Sequence, residues 1–322
     1  MNLLWDRFVR VNGVRIHYTE LPGPGEDVLL IHGFASSSYT WQEMAPLLHK
    51  QGYNVWALDL KGFGYSEKPK NGKYDPFSLM EDVVDWMDAV GLEKAVVTGN
   101  SLGGGIASLM ALVYPEKVSK LVLLNALAPY DIPHPLIIRL SHFPLAPRLA
   151  GLVVTREVVR YYLKQVFFNP RFVTPEKVQA YYDPLRSPGC LYAQTLAARA
   201  MDPKPFLRFM DGGYSVKAPV LVIWGEDDRW IPLHYGQQLL DQQMGRGTFV
   251  VLPECGHMPQ EEKPEDTAKA ILDFMKDVPI VQVGDTPYCH VEHVAGTSEP
   301  ARPSTLEAAK LDGGSLLAGN PG

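Results

Sequence analysis

Over the first 125 residues, short apolar runs alternate with longer stretches in which apolar positions recur at helical spacing. The short runs are Val28 to Ile31, Asn54 to Leu58, Ala95 to Thr98 and Lys120 to Leu124, and their nearly continuous apolar character is that of strands covered on both faces. Trp41 to Leu48, Leu79 to Val90 and Ile106 to Tyr114 carry the helical pattern between and after them. Strands and helices in alternation predict parallel β-α-β units, hence a sheet with helices on both sides. Ahead of these, Phe8 to Val11 and Val14 to Tyr18 flank Asn12-Gly13, a pair at ease with positive φ and suited to a two-residue hairpin turn. The chain therefore opens with an antiparallel pair.

From about Leu127 to Ser215 the strand pattern stops, and prolines, aromatics and helix-like runs replace it. Thr174-Pro175-Glu176 reads as a helix start, with a capping threonine and proline in the first turn. Strands resume at Val220 to Trp224 and Phe249 to Leu252, with a helix near Leu233 to Gln242 between them and a last helix from Pro264 to Lys276. Beyond Pro279 the chain is rich in Gly, Ser, Pro and Ala, the composition of a flexible tail. The expected division is a core of residues 1–126 and 216–278, a helical cap of residues 127–215 and a tail of residues 279–322.

Composition narrows this picture only a little. A chain of 322 residues can bury a substantial core. Its net charge of -6 gives no sign of general nucleic-acid binding, which needs a basic surface. From Tyr130 to Ser215 there are eleven Lys or Arg against six Asp or Glu, so the cap is basic and the remainder acidic. A solvated helical face accounts for that; attraction of an anionic substrate or lipid surface is the sharper alternative. The cysteines, Cys190, Cys255 and Cys289, are odd in number and far apart, which fits reduced thiols and a cytoplasmic location better than a disulfide framework. No signal peptide and no apolar stretch of membrane-spanning length is visible.

The candidate chemistry centres on Gly99-Asn100-Ser101-Leu102-Gly103, which joins the strand at Ala95 to the helix at Ile106. In this G-x-S-x-G pattern the serine sits on a tight strand-to-helix turn, and the glycines two residues away let strand and helix pack closely. Its hydroxyl then lies at a helix N-terminus, where free N–H groups favour developing negative charge. A serine nucleophile needs a base, and the base a carboxylate. His257 follows the strand ending at Leu252, and Asp228 follows the strand ending at Trp224, with Asp227 as its rival. Both positions are C-terminal strand ends, as is Ser101.

Five motifs, His32-Gly33-Phe34, Asp59 to Ser66, Gly99 to Gly104, Gly225 to Pro232 and Gly256-His257, occur in the order of the α/β-hydrolase superfamily, which the chain resembles from Phe8 to Lys276. The resemblance implies an α/β fold, a mostly parallel eight-stranded sheet with its second strand antiparallel, and a helical cap inserted after the sixth strand. It implies Ser101 as nucleophile, His257 as general base and acid, Asp228 as the orienting carboxylate, and an oxyanion hole from the backbone N–H groups of Phe34 and Leu102. Ile231-Pro232 sets the register that favours Asp228. His32 and Gly33 are expected to shape the oxyanion loop, Asp59 to Ser66 to be structural, and His49 likewise. No metal or organic cofactor is implied. Haloalkane dehalogenases and epoxide hydrolases of the superfamily use Asp where this chain has Ser101, so the expected reaction is carboxylic ester hydrolysis through an acyl-enzyme. The expected partner is an apolar small-molecule ester, with the cap aromatics Tyr161, Tyr162, Phe167, Phe168, Tyr181 and Tyr182 either lining its site or packing the cap. Asn100 also resembles the residue before the nucleophile in C–C bond hydrolases of ring-cleavage products, and a receptor-like role is a further alternative.

Overall fold

The computed structural model describes residues 5–127, 136–146, 154–201, 215–244, 247–277 and 290–291. Strands β1 (Trp5–Val11), β2 (Val14–Leu21), β3 (Asp27–Ile31), β4 (Asn54–Leu58), β5 (Ala95–Asn100), β6 (Val118–Leu124), β7 (Val220–Gly225) and β8 (Gly247–Leu252) form one sheet. Its order is β1-β2-β4-β3-β5-β6-β7-β8, and β2 runs antiparallel to both neighbours while β3 to β8 are parallel. A two-residue ninth strand, β9 (His290–Val291), pairs antiparallel with Gly247 and Thr248 at the far edge. These two residues come from the stretch expected to be a free tail; the rest of residues 279–322 lies outside the described residues.

The hairpin closes as Asn12-Gly13 implies, with φ of 49° and 82° at the two turn residues. The parallel strands show why continuous apolar runs signal two covered faces. Leu29 and Ile31 of β3 pack into one core while Val28 and Leu30 pack into the other, and Val222 and Ile223 of β7 divide in the same way. Helices α1 (Ala45–His49), α2 (Pro76–Val90) and α3 (Leu102–Val113) lie in the first half. The helix expected from Trp41 to Leu48 is in fact a 3-10 turn, Ser38–Trp41, followed by the short α1. Pro46 lacks an N–H and is accommodated only in a first turn, so the helix begins at Ala45. Helix α2 starts three residues before the expected Leu79, because the Asp75 carboxylate caps the Ser78 N–H (3.0 Å) and Pro76 fills the first turn.

Between β6 and β7 the described residues form helices α4 (Leu136–Ser141), α5 (Arg156–Val166), α6 (Pro175–Leu185) and α7 (Cys190–Arg199), with no strand among them. Thr174 caps α6 through the Lys177 N–H at 3.2 Å. Helices α5, α6 and α7 share a separate small core in which Val159, Leu163, Val178, Leu185 and Cys190 meet Met258 from the loop after β8. Helices α8 (Leu233–Leu239), α9 (Pro259–Glu262) and α10 (Pro264–Met275) complete the second half. No described helix is long and apolar enough to cross a membrane.

Candidate active site

Ser101 joins β5 to α3 at φ 53° and ψ -119°, a conformation costly for any residue with a side chain. The neighbouring glycines make it possible. A Cβ on Gly99 would stand 2.2 Å from the Gly103 carbonyl oxygen, and one on Gly103 would stand 2.1 Å from that of Ile31. Three backbone bonds fasten the turn: the Ser101 N–H donates to Leu124 (3.1 Å), and the Ser101 carbonyl accepts from Gly105 (3.1 Å) and Leu127 (2.8 Å).

Strands β5, β6, β7 and β8 are consecutive in the sheet, so the loops after them converge at one end. Asp228, three residues beyond β7, has a side chain fully shielded from solvent and four hydrogen bonds. One carboxylate oxygen accepts from the backbone N–H groups of Trp230 (2.7 Å) and Ile231 (3.0 Å). The other accepts from Asn125 Nδ2 (2.6 Å) and faces His257 Nδ1 at 2.7 Å. A carboxylate so held can only accept, so Nδ1 carries the imidazole proton and Nε2 is the nitrogen left to take another. Asp227, the rival in sequence, instead spends its backbone N–H on the Cys255 carbonyl (2.9 Å). Gly225 permits the approach of the two loops, since a Cβ there would lie 2.0 Å from the Gly256 carbonyl oxygen.

Asn125 was not singled out in the sequence, although its place directly after an apolar strand is a signal. It adopts φ 43°, donates to Asp228, and accepts from the Gly225 N–H at 3.2 Å. Glu262 was missed as well. Its carboxylate accepts from the N–H of Gly256 (2.8 Å) on one side and from those of Phe168 (2.8 Å) and Asn169 (3.3 Å) on the other. Burial raises its pKa against the pull of these three donors. The His257 N–H also donates to the Val166 carbonyl at the end of α5 (2.7 Å), so the histidine loop is tied directly to the helical insertion. Next to it, buried Glu261 receives Lys177 Nζ (2.5 Å), Thr40 Oγ1 (2.6 Å) and the Tyr181 hydroxyl, binding α6 to the core.

Ser101 and His257 both line a cavity of about 660 Å³ beneath the insertion. Its wall is mostly apolar, and Val158, Leu163, Leu185, Leu191, Trp230 and Met258 contribute to it. Of the six aromatics noted in the insertion, Tyr161, Tyr162 and Tyr181 line the cavity. Phe167 instead packs against Phe172 in the insertion core, and Tyr182 lies beneath the Arg156 guanidinium at 5.0 Å. Phe34 lines the cavity beside Gly33, and Leu102 is the first residue of α3, so its N–H has no carbonyl of its own helix to meet. Burial lowers the pKa of His32, which donates from Nδ1 to the Gly33 carbonyl (2.7 Å) and accepts from the Leu60 N–H at Nε2 (3.1 Å). It is thus a neutral brace for the loop that carries Phe34. Asn100 donates to the Leu124 and His257 carbonyls, both at 3.1 Å, and also lines the cavity.

Comparison with known proteins bears on the family and the fold. The Alpha/beta hydrolase family profile matches residues 28–270. An uncharacterized hydrolase of Bacillus subtilis, YugF, is 31% identical over 83% of this chain and 96% of its own length. The 2-hydroxymuconate semialdehyde hydrolase of Pseudomonas sp. strain CF600 is 31% identical over 79% of this chain and 88% of its own. Among solved structures, the meta-cleavage product hydrolase of Pseudomonas fluorescens IP01 superposes with a TM-score of 0.71 at 27% identity, covering 84% of this chain and 97% of that one.

Proposed function

This chain belongs to the Alpha/beta hydrolase family, and from that premise we propose that it is a serine hydrolase cleaving carboxylic esters of apolar acids or alcohols. The observation that carries the reading is the buried Asp228–His257 pair, whose histidine shares a mostly apolar cavity with Ser101, itself held at a strained helix N-terminus. His257 Nε2 takes the Ser101 proton as Oγ attacks the ester carbonyl carbon. The Leu102 and Phe34 N–H groups stabilise the resulting oxyanion. Collapse expels the alcohol, which receives the proton from His257, and water then cleaves the acyl-enzyme with His257 again as base. The helical insertion serves as the cap of residues 127–215, and the cavity volume lies within the roughly 300–1,000 Å³ usual for small-molecule sites.

A second reading is C–C bond hydrolysis of a ring-cleavage product, supported by Asn100 on the cavity wall and by the named activities of the two relatives above. Turnover of p-nitrophenyl esters from acetate to palmitate, in wild type and in Ser101→Ala, tests the main reading. Multiple turnovers that vanish in Ser101→Ala are expected, with the preferred chain length reporting the cavity's reach. Ester turnover surviving in Ser101→Ala would reject Ser101 as nucleophile. Inertness to every ester, with turnover of a ring-cleavage dienone acid, would decide for the second reading.

A further inference from the structure

Among the described residues, five of the nine exposed large apolar side chains fall in one part of the insertion. Leu136 (60% exposed), Leu140 (55%), Phe143 (59%) and Leu145 (48%) fall on α4 and the turn after it, and Tyr161 (59%) stands on α5. Leu140, Phe143 and Tyr161 also line the cavity that holds Ser101, so this patch is the cavity's rim and continues inward as its wall. The rim is held in shape. Ile138 and Ser141 turn inward from α4, and Arg199 of α7 donates from Nε to the Ser141 carbonyl (2.6 Å) and from Nη2 to that of Phe143 (2.7 Å). These bonds satisfy carbonyls at the end of α4 and leave the leucine and phenylalanine side chains facing outward.

Cations are interleaved with these side chains. Arg139 is exposed between Leu136 and Leu140, and residues 136–146 contain no Asp or Glu. Helix α5 bears Arg156, Arg160 and Lys164 against Glu157, and Lys164 is exposed one turn from Tyr161. Water solvates such a patch poorly, and a neutral protein partner would leave its cations unmatched. Leucine and phenylalanine projecting among arginine and lysine suit the boundary between headgroups and acyl chains of an anionic bilayer.

We propose that the rim formed by α4, its following turn and Tyr161 docks this protein on an anionic phospholipid surface, with the cavity mouth facing the lipid. An apolar substrate then passes from bilayer to cavity without crossing water. Docking itself does not depend on which bond the site cleaves, so the test reads binding first.

The full-length protein is sedimented with vesicles of phosphatidylcholine and of phosphatidylcholine mixed with phosphatidylglycerol. Wild type is expected to pellet with the mixed vesicles, less so as salt rises. The variant Leu136→Asp/Leu145→Asp, at two rim positions outside the cavity wall, is expected to bind roughly tenfold or more weakly. The same variant should hydrolyse a short, water-soluble ester as wild type does, which shows that it is folded. Ser101→Ala should bind vesicles like wild type, so that a failed ester assay does not count against docking. Wild type remaining in the supernatant, equal binding to pure phosphatidylcholine, or undiminished binding by the double variant would each overturn the proposal. So would a dimer, broken by the double substitution, in a protein that ignores vesicles, since the rim would then belong to a second copy of the chain.

Discussion

Two histidine–aspartate pairs in this molecule are nearly identical as pairs and unlike in everything around them. His257 Nδ1 meets Asp228 Oδ2 at 2.7 Å, and His17 Nδ1 meets Asp59 Oδ2 at 2.7 Å; in both, histidine and aspartate side chains are 4% and 0% exposed. The second pair lies where β2 meets the loop after β4. Its Asp59 also accepts from the N–H groups of Ser38 (2.6 Å) and Tyr65 (2.7 Å), and its His17 presents Nε2 to Asp6 at 3.3 Å. A serine is close at hand as well, but the Ser66 hydroxyl donates to the Asp59 carbonyl (2.6 Å) and accepts from the His17 N–H (2.8 Å). Every polar atom there has a partner inside the fold. At the other pair, His257 stands with Ser101 on an open cavity. A buried His–Asp bond is therefore a structural cross-link until the second ring nitrogen is left facing a site where substrate can bind.

The sharpest break of that comparison is to remove each imidazole in turn. His257→Ala is expected to lower kcat for an ester substrate on the order of 10⁵-fold in protein that is still folded, a loss far beyond any cost in stability. His17→Ala should leave kcat within a few-fold and instead cost about 3 kcal/mol in a urea titration, because it leaves a buried carboxylate without its partner. Loss of turnover in a folded His17→Ala protein would contradict the contrast. The carboxylates extend the test. Asp228→Asn should reduce kcat on the order of 10⁴-fold by favouring the wrong imidazole tautomer, whereas Asp59→Asn should act on stability alone.

Glu262 sharpens the comparison in a different way, since it has no counterpart at the His17 pair. Glu262→Gln places an amide N–H₂ against backbone donors, at Gly256 on one side or at Phe168 and Asn169 on the other. The expected cost is about 2 kcal/mol of stability with roughly a tenfold fall in kcat, as the histidine loop loses its tie to the insertion. Wild-type kcat in Glu262→Gln would assign the carboxylate to stability only.

The smallest expected effect is a pH dependence of stability that belongs to the second pair. Burial disfavours the charged His17 ring, but the hydrogen bond and charge of Asp59, with Asp6, outweigh it and raise the pKa above 6.5. Burial likewise opposes ionisation of Asp59, and His17 outweighs it to lower that pKa below 3.8. The His17 contribution is thus complete below about pH 6.5 and fades as pH rises through the folded pKa, while that of Asp59 is complete above about pH 4 and fades as pH falls. Urea midpoints of wild type and His17→Gln should differ most between those limits and less on the alkaline side, where the neutral ring keeps only its hydrogen bond. A gap that widened with rising pH would reverse the assigned sign.

Much of this was legible along the chain. The apolar runs of β3 to β8 specify two-faced burial through side-chain alternation alone, and Gly99 and Gly103 mark the Ser101 turn because only glycine fits against the Gly103 and Ile31 carbonyls. Capping by Thr174 needed nothing beyond four consecutive residues. Less was visible where a partner is distant. Asn125 reaches Asp228 from 103 positions away, and Glu262 reaches Phe168 from 94. The hydrophobic pattern says nothing of such pairs, because a buried polar residue is indistinguishable from an exposed one until its neighbours are placed.

What the sequence determined by itself is local: the period of each strand and helix, the strained serine turn, and the order in which serine, aspartate and histidine arrive at strand ends. Those follow from sterics and side-chain spacing over a few residues. The tertiary structure alone decided that His17 meets Asp59 in a second pair, which pair opens onto a cavity, and how the insertion is fastened to the histidine loop. These depend on sheet order, β5-β6-β7-β8, which brings together loops separated by more than a hundred residues, and a hydrogen bond forms by distance in space rather than distance along the chain.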